Sequence, residues 1–302
     1  MTLRPPIAHR LLDLLLSIRI RREKEVSLGL LGVSLLLWCI SCPLTKRLPT
    51  PGAVQLDEPL LAAPVQVDAE EPPIEVEAGG IHFSVAPVAD YSIAGLVVSE
   101  HKSDSFADYY HELWHDQLNV GDLCVVWGQN LSGGLYRRID FWSEPFTCNF
   151  RTTDEEAWRA FRTNEISNNH LLAKNRTLRR QILSARVGDV VRIEGKLARY
   201  SNDRGFHRGT SLTREDTGDG ACETIWVNRF EILRSENDFW RFLRSLSFWG
   251  ILASVVLFAR WMLRRPDYRT ATGSVTPRPG TTPRPPPLPE VWADPGPQKP
   301  KD

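Results

Sequence analysis

GDVVRIEGKL, residues 188–197, decides how the central part of this chain is read. Val191, Ile193, Gly195 and Leu197 alternate with Arg192, Glu194 and Lys196, so a strand here has one apolar face and one ladder of mixed charge. Gly188 and Asp189 form a turn pair, and the stretch before them, Asn175 to Ala185, reads as a helix that stops there. Further upstream, Ile81 to Val88, Tyr91 to Val98 and Leu123 to Gly128 are rich in β-branched and aromatic residues, as strands are. Ile225 to Leu233 supplies a last strand. Thr153 and Glu156 have capping-box spacing, and Ala157, Trp158 and Phe161 give the helical face that follows.

Helices inserted among short strands, rather than alternating with them, argue for an α+β domain with a largely antiparallel sheet over residues 81–243. A domain of that size buries roughly two thirds of its surface and folds without disulfides. The Gly-Asp-x-Val-x-x-x-Gly-x-Leu pattern of residues 188–197 is of the kind found in small β-barrels such as the OB fold.

Two apolar runs flank this domain. Residues 26–45, VSLGLLGVSLLLWCISCPLT, carry no charge and match the roughly 30 Å hydrocarbon core of a bilayer. Arg19, Arg21, Arg22 and Lys24 before it also suit a signal peptide. No small-x-small site follows, however, and neither Cys39 nor Cys42 has lipoprotein surroundings, so the run reads as an uncleaved anchor. Residues 245–263, SLSFWGILASVVLFARWML, hold one charge, Arg260, close enough to the end to snorkel; the alternative is a buried helix of a soluble domain. The excess of Lys and Arg outside the two spans puts both termini in the cytoplasm and the central domain outside, in a bacterial inner membrane facing the periplasm.

The remaining segments read from composition. Residues 1–25 form a basic lead in which Leu11, Leu15 and Ile18 mix with Arg10 and Asp13, as in a helix lying on a membrane surface or an ordinary cytosolic extension of the helix that follows. Residues 46–80, rich in proline and acid, read as an extended tether. Residues 266–302, with TPRPGTTPRPPPLPEVW, read as a disordered polyproline-like tail. Over the whole chain 37 basic residues balance 37 acidic ones at a pI near 7.1, which excludes a dedicated nucleic-acid binder. Arginines dominate between Arg151 and Glu215, including Arg208 and Arg214, and such a face suits anionic lipid or cell-wall polymer if it is not simply solvated.

Three polar clusters interrupt the apolar pattern: Ser167, Asn168, Asn169 and His170; then Thr210 to Thr217; then Gly218 to Glu223. With them the chain resembles an uncharacterised family of bacterial membrane-anchored proteins. The resemblance rests on Ser-Asn-x-His, the Gly-Asp-x-Val pattern and Ser-Leu-Thr-Arg-x-Asp-Thr-Gly-x-Gly-Ala-Cys-Glu at residues 211–223, and covers residues 85–233. It implies no activity. Thr210, with no aromatic directly before it, departs from the commoner pattern.

The chemistry that these residue types suggest is a Cys222 thiol paired with the His170 imidazole, with Asp216, Asp219 or Glu223 orienting the histidine for acyl transfer or hydrolysis. The same acids could hold a divalent cation, although their spacing is not that of an EF-hand loop. The plainer reading is turns in which Asp and Asn bond their own backbone, with Ser167, Asn168, Ser211 and Arg214 as their polar neighbours. Cys124, Cys148 and Cys222 allow one disulfide and one odd thiol, and Cys148 with Cys222 is the first pairing to test. His111, Glu112 and His115 formally match His-Glu-x-x-His, which on a helix would bind zinc, but no third ligand stands at the required spacing. The alternative is an amphipathic helix with Leu113 and Trp114 packed inward.

The sequence thus predicts a membrane-anchored envelope protein, a non-enzymatic module for binding or assembly that meets membrane lipid and an envelope protein or cell-wall partner and needs no cofactor. The competing expectation is an envelope hydrolase built on His111, Glu112 and His115 around zinc, or on Cys222 and His170.

Overall fold

The computed structural model describes residues 7–54, 57–103, 113–216 and 221–264, with the backbone alone for residues 7–21. Its class is α+β, with a mostly antiparallel mixed sheet and two long apolar helices. In chain order the elements are α1 (Ile7–Leu44), α2 (Glu58–Leu61), β1 (Val65–Asp68), β2 (Ile74–Ala78), β3 (Ile81–Lys102), β4 (Asn119–Val126) and α3 (Gly128–Ser132). A hairpin of β5 (Asp140–Glu144) and β6 (Thr147–Arg151) follows, then α4 (Glu155–Ala160), β7 (Ile166–Leu172), α5 (Arg176–Ser184), β8 (Asp189–Asn202), β9 (His207–Arg208), β10 (Glu223–Ser235) and α6 (Asp238–Leu263).

The two strands expected before residue 99 are one, β3, which bends at register shifts between Pro87 and Ala89 and between Val97 and Ser99. A proline is tolerated at such a shift because no ladder N–H is needed there. The bends let β3 pair with β8 along most of its length and with β4 near its end. Antiparallel β4–β7, parallel β7–β10 and antiparallel β10–β8 complete a circuit of pairings that returns to β3. Inside lie Ile93, Val125, Leu171, Val191, Ile193, Leu197 and Ile225, so the alternation in residues 188–197 is the core face as expected. Gly195 belongs to that face because a methyl there would overlap the Trp226 carbonyl.

Both faces of β4 and β7 are covered. Leu96, Cys124, Val126 and Tyr136 form a second core outside the circuit, and Val54 and Leu60 join it. This corrects the extended tether at residues 46–80. β1 and β2 add to β3 through backbone pairing, and only Val76 of the two strands is buried, so composition gave no signal of them. The ordered domain therefore begins well before residue 81. The capping box is also shifted: Asp154, not Thr153, caps α4, accepting from the Ala157 N–H at 3.1 Å. The helix expected from Asn175 is α5, which Asn175 caps, accepting from Thr177 and Leu178.

Arg22–Leu44 and Asp238–Leu263 are each long and apolar enough to cross a membrane. They pack through small residues spaced seven apart, buried Ser27, Ser34 and Ser41 on α1 facing Ser247 and Ser254 on α6. That spacing is a single seam on a helix. Gly250 sits so near Ser34 that no side chain fits between. Trp38 and Phe248 meet at one end, 6.1 Å between centroids, and Glu23 pairs with Arg264 at 2.9 Å at the other. Away from the seam large apolar side chains such as Leu36 and Val256 are exposed, unlike those of a soluble core helix. The proline-rich tail lies outside the described residues.

Candidate functional site

The Ser167–His170 cluster does not interrupt the sheet; it is the middle of β7, and its polar side chains are buried. Burying such groups is costly unless each finds a partner, and the partners define a site. His170 lies opposite Asp122 in the β4–β7 register, both fully buried, with Nδ1 2.6 Å from Oδ1. Asp122 also accepts from Asn119 Nδ2 at 2.9 Å and from the Phe146 N–H at 2.9 Å. Phe146, in the left-handed region at φ 64°, forms the tip of the β5–β6 hairpin that covers this face.

Cys222, half-buried just before β10, stands beside His170 and is electrostatically coupled to it. Its Sγ is 3.5 Å from Asn168 Nδ2 and 3.9 Å from the Phe146 carbonyl. Arg208 Nη1 stands 2.9 Å from His170 Nε2 while its guanidinium lies over the Phe146 ring at 4.0 Å. Trp114 stacks on Phe146, 5.2 Å between centroids, and closes the aromatic cover.

Burial opposes a charge on His170, but the Asp122 carboxylate and its hydrogen bond, with Cys222, raise the imidazole to about 9. Arg208 acts in the other direction, because a guanidinium only donates and must meet a lone pair on Nε2. The Asp122 carboxylate therefore favours a proton on Nδ1, and the Arg208 contact opposes a second proton on Nε2.

Beside this centre is a second buried group. Arg214 Nη1 pairs with Glu223 Oε1 and lies 3.3 Å from the Tyr91 hydroxyl. Burial raises Glu223 to about 7, with Arg214 pulling it down. Glu223 Oε2 and Asn168 Oδ1 are buried without a partner. Ser211 closes the loop between the two groups: its hydroxyl donates to Asp216 Oδ2 at 2.7 Å, and its N–H bonds the Cys222 carbonyl at 2.9 Å.

The structure places Cys222 beside His170, with Ser167, Asn168, Ser211, Arg214, Asp216 and Glu223 in the same region. Asp122 takes the orienting role expected of Asp216, Asp219 or Glu223. Its signal was a lone acid inside the apolar run NVGDLCVV. Asp219 lies outside the described residues. So do His111 and Glu112, while His115, at φ 54°, is not helical, and Leu113 and Trp114 are partly exposed rather than packed inward. Among the described residues no group of three side chains could hold a metal ion.

The disulfide is Cys124–Cys148, with Cα atoms 5.7 Å apart, which corrects the Cys148–Cys222 pairing and leaves Cys222 a free thiol. Cys124 is core and bridged at once, since the hairpin carrying Cys148 folds directly over β4. No protein-family model matches the chain, and no curated protein or solved structure matches it either.

Proposed function

We propose that this chain is a membrane-anchored thiol enzyme that transfers or hydrolyses acyl groups, with Cys222 as nucleophile, His170 as base and Asp122 as the residue that orients it. One observation carries the reading: a half-buried free thiol stands beside an imidazole whose Nδ1 is held by a buried carboxylate at 2.6 Å. In the reaction Arg208 swings off Nε2 and His170 takes the thiol proton. The thiolate forms a bond to the acyl carbon, and the leaving group departs with that proton. Water or an acceptor nucleophile then releases the acyl group from sulfur. The Asn168 amide, beside Sγ, is the side-chain donor available to the oxyanion.

The circuit of pairings with its one parallel step at β7–β10, and α5 on the connection from β7 to β8, supports an OB-like barrel as the scaffold. The Cys124–Cys148 disulfide supports an oxidising compartment, hence a domain outside the cytoplasm with both termini inside. Complete burial of His170 and the cover of Arg208 over Nε2 favour a second reading, a non-enzymatic envelope module in which this network only holds the fold.

Incubation of the full chain with p-nitrophenyl acetate separates the two. A burst of nitrophenol with one acetyl on Cys222, absent from Cys222→Ser and strongly slowed in His170→Gln, is expected of the enzyme. No burst, or acetylation unaffected by His170→Gln, would leave the binding module.

A further inference from the structure

Where the two long helices meet the domain there is a cavity of about 640 Å3. Its floor is apolar and comes from the helices, Trp38 on α1 and Phe248 on α6. Its walls are cationic and come mostly from the junction and the sheet: Lys46, Lys102, Arg186, Arg241 and Arg244. We infer that this cavity binds the phosphate headgroup of an anionic phospholipid, with an acyl chain lying along Trp38 and Phe248. The inference rests on α1 and α6 being membrane spans.

The positive charge is only partly offset, by Asp189 and Asp238 on Arg241 and by Glu100 in the wall. Lys102 and Arg186 both donate to the Leu183 carbonyl at the end of α5, so they are oriented by backbone and keep their charge. Arg244 lies over the Trp38 ring at 4.9 Å, and among the described residues neither it nor Lys46 is in ion-pair contact with a carboxylate. Arg241 does pair with buried Asp189 at 2.8 Å, yet its Nε is buried with no acceptor. A buried donor without an acceptor is costly, and a phosphate oxygen would satisfy it. Glu100 is the opposing group in the wall. Burial raises its pKa, against the pull of Arg186 and Lys46, and its Oε2 has no partner. Basic pockets at the ends of membrane helices recognise acidic headgroups by this combination of charge and donors.

The test is native mass spectrometry of the full chain released from nanodiscs holding equal phosphatidylglycerol and phosphatidylcholine. One phosphatidylglycerol retained in preference to phosphatidylcholine is expected. Lys46→Gln with Arg244→Gln should weaken that retention about 30-fold, from the loss of two interfacial charges. Arg229→Gln, on an exposed side chain of β10, should leave it unchanged, and Glu100→Gln should preserve or tighten it. Equal retention of both lipids, or retention indifferent to Lys46 and Arg244, overturns the site while leaving the spans standing. Failure of the chain to enter nanodiscs overturns the spans and the lipid site together. Inorganic phosphate binding through the same two residues, with no preference for the lipid, would assign the cavity to a soluble phosphate and overturn the lipid assignment.

Discussion

Asp122 and His170 face each other across neighbouring strands, fully buried, with Oδ1 2.6 Å from Nδ1. A carboxylate that also accepts from Asn119 and Phe146 cannot turn away, so it fixes both the tautomer and the tilt of the ring. Asp122→Asn keeps the shape and removes the charge that makes His170 a base. Alkylation of Cys222 by iodoacetamide should then slow about 100-fold, the usual weight of a positioned base, with the circular dichroism spectrum unchanged. An unchanged labelling rate in a folded variant would mean that Cys222 reacts without help from His170.

The same pair sets a pH dependence. In the folded chain the His170 imidazole is raised to about 9 from its ordinary 6.5. The stabilisation from charging it is complete below pH 6.5 and is lost as pH rises through 9, at most about 3 kcal/mol. Thermal melts should therefore show stability falling across that window, and His170→Gln should flatten the fall. If the variant keeps the slope, the titration belongs to another group.

Much of the fold is legible in the sequence. The alternation in residues 188–197, the helix before Gly188 and the two apolar runs each carry their meaning in local spacing, and each stands where the spacing puts it. Strands β1 and β2 were hidden because their stability comes from backbone pairing to β3, which composition does not record. Cys222 and His170 were singled out as residue types, but Asp122 needed the register of β4 against β7, a relation between segments far apart in sequence. The serine seam was readable at its spacing of seven and was masked by the stronger apolar signal around it.

Cysteine chemistry gives an independent check. Cys124–Cys148 closes a loop of sequence separation 24 and pins the hairpin that places Phe146 over His170. Cys148→Ser should cost about 3 kcal/mol of stability by the loop-closure argument. It should also speed the access of large thiol reagents to Cys222, because the hairpin is released at its base. Peptide mapping of the oxidised wild type should find Cys124 linked to Cys148 and Cys222 alkylated. A Cys148–Cys222 peptide instead would remove the free thiol on which the enzyme reading depends.

The helix pair makes the last prediction. Gly250 leaves no room for a side chain beside Ser34, and apolar residues elsewhere on both helices face outward. In lipid no hydrophobic drive holds helices together, so close packing at small residues must do so. Gly250→Leu should force the seam apart and destabilise the pair by about 2 kcal/mol, the usual cost of overpacking. Val256→Leu, on an outward position, should be neutral. Equilibrium unfolding in mixed micelles reads both. Equal stability of the two variants would show that the pair is held by Glu23–Arg264 and the domain junction rather than by the seam, whereas loss in Gly250→Leu alone would make the small-residue contact the element that sets the helix spacing and, through Trp38 and Phe248, the floor of the cationic cavity.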